Sequence, residues 1–550
     1  MDIAHEGAIV LNLLVAGVLT LAIGTTAVVL LQRSIRHNMM LIGATPASPA
    51  PAPQRPRQPA QAPLSFDVAV PATVDASLSG RLLRRHVLAH ALAGLAFAVT
   101  ATLLLLPLSG IALLPLRTMV VVWAYAWPTV LVLGLLIGPD RRVQLLILSG
   151  YFGVLAMLGA WARLANTPSL AVAGIKTPGF VQPVIIWLLY AAPSLFLLLF
   201  LNRTIRTIGP LVLVFAFVVM LGAHAAISLL TITPIQEAVI LFAISIGMGG
   251  AGILWTVGGL GMLAAIWPAW GCVTWLRDRY AAKRSTELIF TAGAIWMLQA
   301  LVLAYGLSRE QGAIAALAAL APLVAWRLAL SLALRPLVAS VRARPPQRLL
   351  LLRVFGFGRR SRRLLDLLGT RWRLIGSIDL IAAPDLASRT IEPSTFLEFV
   401  RGRLSRLFIR THDDLRARLA ALDHRPDPDA RFRINQLFCS DEIWKAGVTR
   451  LMEEASLVVM DLRGFTPDRR GCVYELQTLL DTVPLVRLAF VFDKSTDLDA
   501  LETILTQQWQ ELDDASPNLA SERPTLRLLN ASDGDPIIVR HLLAIAAARQ

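Results

Sequence analysis

Two kinds of apolar pattern divide the chain near Pro345. Upstream, apolar residues come in unbroken runs. About 20 such residues are needed for a helix to cross the hydrocarbon core of a bilayer. Runs of that kind cover residues 8–31, 87–108, 118–138, 143–161, 183–201, 209–230, 238–276, 286–307 and 313–334. The first has no basic stretch ahead of it and no small-residue cleavage site behind it, which predicts a retained span rather than a signal peptide. The run over 238–276 is too long for one simple span at about 1.5 Å per residue. Glycines at 247–252 and 258–261 interrupt it, so it is either one broken helix or a hairpin of two. Small residues there favour close helix packing over a helix broken at a binding site. Between the first two spans, residues 44–63 are rich in Pro and Ala, with seven prolines from Pro46 to Pro63. That composition predicts a disordered or polyproline-like tether.

Downstream of Arg344 short apolar runs alternate with amphipathic stretches. The pattern predicts strands over 348–355, 374–381, 431–438 (an edge strand), 457–461, 485–492 and 525–529. It predicts helices over 361–368, 394–408, 411–422, 441–454, 471–480, 498–512 and 536–548. Such alternation implies a mostly parallel sheet of about five strands with helices on both faces, in a flavodoxin-like layout. Ligands in these sheets bind beyond the carboxyl ends of the strands. The fold class expected is therefore a polytopic α-helical membrane domain followed by a cytoplasmic α/β domain. Its parts are a first transmembrane helix (1–37), a Pro/Ala-rich linker (38–80), a multi-helix transmembrane domain (81–344) and the α/β domain (345–550).

Charge orients this arrangement. Residues 1–344 hold 23 Lys and Arg against 9 Asp and Glu, and residues 345–550 hold 29 against 28. The basic excess belongs to the apolar half, which argues for the positive-inside rule and against nucleic acid. Placing the clusters at Arg33/Arg36, Arg81/Arg84/Arg85, Arg141/Arg142, Arg203/Arg206, Arg277–Arg284 and Arg335–Arg344 inside, with Arg55 and Arg57 of the tether, leaves only Arg117, Arg163, Lys176 and Arg309 outside. The expectation is a multi-pass protein of the inner (plasma) membrane of a bacterium. It has about nine helices, the amino terminus outside, the carboxy-terminal domain in the cytoplasm, and a single crossing by 238–276. Ionisable residues within the spans are few: His90 and His224, read as helix-packing hydrogen bonders, and Glu237 at a loop edge. Cys272, Cys439 and Cys472 have no metal or disulfide spacing, so no metal site is expected.

Candidate chemistry lies in the cytoplasmic half. The first strand runs into Gly356-Phe357-Gly358-Arg359-Arg360-Ser361 and then a helix. Backbone amides of a glycine turn at a helix start favour an anion, so Gly356, Gly358, Arg359 and Ser361 are candidate phosphate ligands. The alternative is a tight turn with solvated arginines. A second segment ends a buried strand at Asp461 and passes through Leu462-Arg463-Gly464-Phe465 to a helix carrying Glu475. Asp461, Arg463 and Glu475 are thereby placed at the ligand end of the sheet. A carboxylate there accepts ribose hydroxyls or stabilises an oxocarbenium-like centre; the alternatives are a loop cap and a helix-dipole partner.

The stretch 438–476 resembles a TIR domain. In that family a helix leads to a strand, a loop and then a helix opening on a Trp-Cys-x-x-Glu-Leu-like motif. This chain has Gly471-Cys472-Val473-Tyr474-Glu475-Leu476, with Gly471 in place of the Trp, and Asp461 where a Ser is common. The resemblance implies that Glu475 is the catalytic carboxylate of an NAD-cleaving or nucleotide-binding signalling domain. It further implies NAD as a substrate rather than a bound cofactor. The partners expected for the chain are a second copy of itself, in a homo-oligomer, and the lipid bilayer that the apolar runs require. Two alternatives stay open: a non-enzymatic membrane scaffold, and a transporter with a regulatory cytoplasmic domain.

Overall fold

The computed structural model describes residues 22–35, 37–38, 56–60, 62–68, 77–108, 110, 112–137, 145–151, 153, 157, 208–230, 232–312, 314–354, 360–381, 393–440 and 442–548. The apolar run at 183–201, most of that at 143–161 and the start of the first run lie outside them. The helices of the apolar half are α1 (Ala22–Ile35), α2 (Ser77–Leu108), α3 (Pro115–Ala126), α4 (Thr129–Ile137), α5 (Gly209–Leu229), α6 (Thr233–Ser245), α7 (Gly250–Ala281), α8 (Glu287–Gln311) and α9 (Leu320–Arg342). Among the described residues, four helical stretches are long and apolar enough to cross a membrane: Leu78–Leu108, Leu211–Leu229, Gly250–Ala281 and Ala315–Arg342.

Each long helix buries one stripe and exposes another. On α2, Ala89, Ala93, Phe97 and Ala101 pack toward Trp326, Leu330 and Leu334 of α9 and Trp296 of α8. The opposite side of α2 exposes Leu88, Leu92, Leu95 and Leu103, and α9 exposes Leu320, Val324, Leu328 and Leu332. In water such continuous apolar stripes are an aggregation liability; beside hydrocarbon they cost nothing.

One expectation changes here, and an interruption left open in the sequence is located. The run over 118–138 is not one helix: α3 and α4 meet at Trp127–Pro128, because a proline has no N–H to carry the hydrogen-bond ladder across. The run over 238–276 is also split. A turn at Gly247, whose φ of +69° suits glycine, separates α6 from α7. The thirteen residues of α6 span about 20 Å at 1.5 Å each. The later glycines do what close packing requires. A Cβ on Gly261 would stand 2.4 Å from the Gly222 carbonyl oxygen and 2.5 Å from Ala226 Cβ. Gly222 faces Gly261 and Ala265, and Gly258 faces Ile227, so α5 and α7 run antiparallel.

The second half holds one large sheet. Its strands are β2 (Ser65–Val68), β3 (Gln347–Arg353), β4 (Gly376–Ile381), β5 (Phe408–Ile409), β6 (Ile434–Cys439), β7 (Leu457–Asp461), β8 (Leu488–Phe492) and β10 (Thr525–Asn530). Their order is β2-β10-β8-β7-β3-β4-β6-β5, and every pairing is parallel. The helices are α10 (Arg360–Arg371), α11 (Pro393–Val400), α12 (His412–Ala420), α13 (Trp444–Glu454), α14 (Arg470–Thr482), α15 (Leu498–Trp509) and α16 (Asp535–Ala547). Side chains alternate across β3: Leu349 and Leu351 pack with α10 and α16, Leu350 and Leu352 with α13, α14 and α15. The first face also joins the feet of the apolar helices through Leu31, Ile35, Leu211, Val273 and Leu276.

The sheet is larger than the five strands expected, for three reasons. β6 is not at the edge, because the two-residue β5 pairs outside it. The expected helix over 394–408 stops at Val400, where Gly402 (φ +70°) closes it and frees the chain to form β5. The third reason is the linker. Residues 44–55 of the expected tether lie outside the described residues, but beyond them β1 (Arg57–Gln58) pairs antiparallel with β9 (Leu512–Asp513), and β2 adds a parallel strand to β10. The indole of Trp509 donates to the Ala62 carbonyl at 2.8 Å.

A charged joint connects the two halves. His86 of α2 bonds the Asp429 carbonyl at 2.9 Å, and Asp429 is paired with Arg431 at 2.8 Å. Arg433 pairs with Asp427 at 3.1 Å, donates to the Tyr280 carbonyl of α7 at 2.7 Å and lies over the Tyr280 ring. Lys283 pairs with Asp423. Burial alone would raise the Asp429 pKa, but the Arg431 guanidinium holds it well below the usual carboxylate range. His90, expected as a hydrogen bonder, instead stacks on His86, and neither of its ring nitrogens has a partner among the described residues. The side chain of His224 lies outside them, and Glu237 is exposed on α6.

Candidate functional site

The connections of the sheet decide where a ligand crevice opens. β3 leads through α10 to β4 on one side, whereas β7 leads through α14 to β8 on the other. The helices that follow β3 and β7 lie on opposite faces. The carboxyl ends of β3 and β7 therefore form a topological switch point, where open α/β sheets hold their ligands. Arg353 and Asp461 end the two strands as register partners.

Glu475 comes to this rim from α14. The inward face of α14 repeats Cys472, Glu475, Leu476 and Leu479, the spacing that turns one side of a helix to the core. Glu475 is 4% exposed, and its Oε2 has no hydrogen-bond partner. Burial pushes its pKa up to about 8, against the opposing pull of the Arg353 guanidinium. Burial thus favours the protonated form of this carboxyl when no ligand is bound. The neighbouring Cys472 is also buried, and its thiol is pushed up to about 12, so it is no nucleophile at neutral pH.

Asp461 and Arg463 are brought together, but with each other. Arg463 Nε and Nη2 donate to the two Asp461 oxygens at 2.7 Å each, and Nη1 donates to Asp535 at 2.8 Å. All three side chains are buried. Asp535 is the first residue of α16, so the triad ties β7 to that helix. Arg363 of α10 approaches Asp535 at 3.8 Å from the exposed side. The hydrogen-bonding faces of Asp461 and Arg463 are thus taken up within the protein.

Gly356, Gly358 and Arg359 lie outside the described residues, as does the side chain of Ser361. The backbone of Ser361 is the second residue of α10, one residue inside the helix that was expected to start at it. Sequence reasoning missed Arg353, Arg363 and Asp535. Arg353 had a signal: a lone cation closing a run of four leucines immediately before the glycine turn.

A second polar group, on β4 and the α12–β6 connection, has the residue types of a hydrolytic triad without its geometry. Ser377 Oγ lies 2.9 Å from His424 Nδ1, and Asp379 lies 4.0 Å from the same nitrogen. A triad needs the serine and the acid on opposite ring nitrogens, and Ser377 is fully buried. Asp379, raised to about 6 by burial, accepts instead from Asn435 at 2.6 Å. This cluster anchors β4 to β6. Among the described residues no group of three or more His, Cys, Asp or Glu could hold a metal ion. Comparison with protein-family models, curated proteins and solved structures finds no match to this chain.

Proposed function

We propose that the chain is a multi-pass protein of the cell inner membrane whose cytoplasmic TIR-like domain binds or cleaves a nucleotide such as NAD. The single observation that carries this reading is Glu475: a buried carboxyl at the switch point, with one oxygen unpartnered. The strand order supports it. The six strands β6-β4-β3-β7-β8-β10 follow the 3-2-1-4-5-6 arrangement of dinucleotide-binding sheets rather than the 2-1-3-4-5 order of a flavodoxin-like sheet, which supports a nucleotide ligand at the switch point. In this reading Glu475 is the catalytic carboxylate, its ionised form favoured when the cationic nicotinamide ring is bound beside it, and Arg353 supplies positive charge to a phosphate. Gly356, Gly358, Arg359 and Ser361 form the phosphate turn. Asp461 and Arg463 act through the triad that fixes the rim. Cleavage of the bond between nicotinamide and ribose develops an oxocarbenium-like cation, which an ionised carboxylate at the rim stabilises. The cationic nicotinamide takes the bonding pair and leaves as a neutral base without needing a proton, and water adds to the ribose carbon.

The test is release of nicotinamide from NAD by the full chain reconstituted in liposomes. Wild type should release it and Glu475→Gln should not. Equal inertness of both forms would contradict catalysis. A second reading, a non-enzymatic signalling scaffold, is favoured by one observation: the Asp461–Arg463–Asp535 triad fills part of the rim with protein contacts. Under it the joint at Asp429–Arg431 carries a conformational signal between membrane helices and sheet, with no turnover.

A further inference from the structure

We propose that α11 and the arginines after it form a surface that binds the anionic lipid headgroups of the membrane the chain spans. The inference rests on the reading that the apolar helices cross a bilayer. It does not depend on any activity at Glu475.

Three observations converge. First, α11 lies against α7, one of the helices long enough to cross. Phe396 and Leu397 of α11 share a buried cluster with Val273 and Leu276 of α7, and Phe399 packs at its margin. Val400 is left 46% exposed at the end of α11. Second, α7 marks the headgroup level close by. Trp275 is 57% exposed, and the Arg279 guanidinium lies 4.9 Å over its ring. An exposed indole with a stacked cation belongs at the membrane–water boundary. Third, the segment leaving α11 is basic. Residues 393–410 contain Arg401, Arg403, Arg406 and Arg410, against the single acid Glu398, which stands 4.0 Å from Arg401.

The backbone explains why these arginines face outward. The Arg403 N–H donates to the Glu398 carbonyl, and the Gly402 N–H to that of Phe399. With Gly402 left-handed, this is a Schellman closure, which reverses the chain sharply at the end of α11. Arg403, Arg406 and Arg410 emerge exposed, while Leu404, Phe408 and Ile409 turn inward between them. Their side chains donate to no described residue. Downstream acids are already engaged: Asp413 with Arg416, and Asp414 with the cap of α12. A helix held at the boundary by its packing on α7, followed by outward-facing arginines, matches a leaflet of phosphatidylglycerol or another anionic lipid.

The experiment compares hydrogen–deuterium exchange over 393–410 in the full chain. It uses nanodiscs of phosphatidylcholine alone and of phosphatidylcholine mixed with phosphatidylglycerol. A gain of about 1 kcal/mol per basic residue near an anionic surface corresponds to about fivefold slower exchange for each arginine engaged. The mixed discs should show that slowing, high salt should remove it, and Arg403→Glu/Arg406→Glu should abolish it without altering exchange in β7. Equal exchange in the two disc types overturns the proposal. So does slowing that survives the double substitution. Extraction of the chain by alkaline carbonate would instead remove the membrane reading beneath it.

Discussion

Replacing Glu475 by Gln should change how stability depends on pH before it changes anything else. The carboxyl has an ordinary pKa of 4.5 and a folded value of about 8. Below about pH 4.5 it is protonated in both folded and unfolded chains and contributes no pH dependence. Between about 4.5 and 8 the unfolded chain gives up the proton and the folded chain keeps it, so stability falls as pH rises. Above about 8 the full cost is present. At about 1.36 kcal/mol per pH unit that cost is of the order of 5 kcal/mol. The amide of the Glu475→Gln variant fills the same space and cannot ionise. Thermal unfolding of the full chain in detergent, read by proteolysis within 345–550, should give nearly equal midpoints for the two forms near pH 5. The variant should be higher by about 10–20 °C near pH 9, from roughly 2–4 °C per kcal/mol for a domain of this size. Parallel curves across that range would refute the claim that this carboxyl is buried and proton-bearing.

Other substitutions test the frame around it. Asp429→Ala strands Arg431 in a buried site and should cost about 3–5 kcal/mol, whereas replacing both by apolar residues should recover most of the loss, measured by thermal melts. Gly261→Leu should separate α5 from α7 and lower the melting midpoint in detergent. Gly259→Leu, where a Cβ meets nothing within 4 Å, should not. Phe66→Pro should detach the four-residue β2 and expose the edge of β10, seen as faster proteolysis after residue 55 and greater aggregation.

The parts of the fold that hydrophobic period governs were legible. β7 spans 457–461 as expected, and α14, α15 and α16 begin within one residue of expectation. The start of α12 was legible from Thr411, whose hydroxyl accepts from Asp414 in a capping box. What local pattern cannot show is pairing at a distance. The sequence Ser65–Val68 carries too few apolar residues to declare a strand, and it becomes one only because β10 offers an unpaired edge some 460 residues away. The same limit applied to the site. Glu475 was singled out by its place in the first turns after the Asp461 loop and by the Gly-Cys-x-x-Glu-Leu resemblance, whereas the engagement of Asp461 and Arg463 with Asp535 depends on a contact across 72 residues. Arg353 was passed over because it reads as the end of an apolar strand, and only its register opposite Asp461 places it at the crevice.

The most direct test of the central claim is a footprint of NAD on the full chain by hydrogen–deuterium exchange, using Glu475→Gln so that turnover cannot consume the ligand. The account predicts slowed exchange confined to the ends of β3 and β7 and the first turns of α10 and α14. Protection elsewhere, or none at saturating NAD, would contradict it.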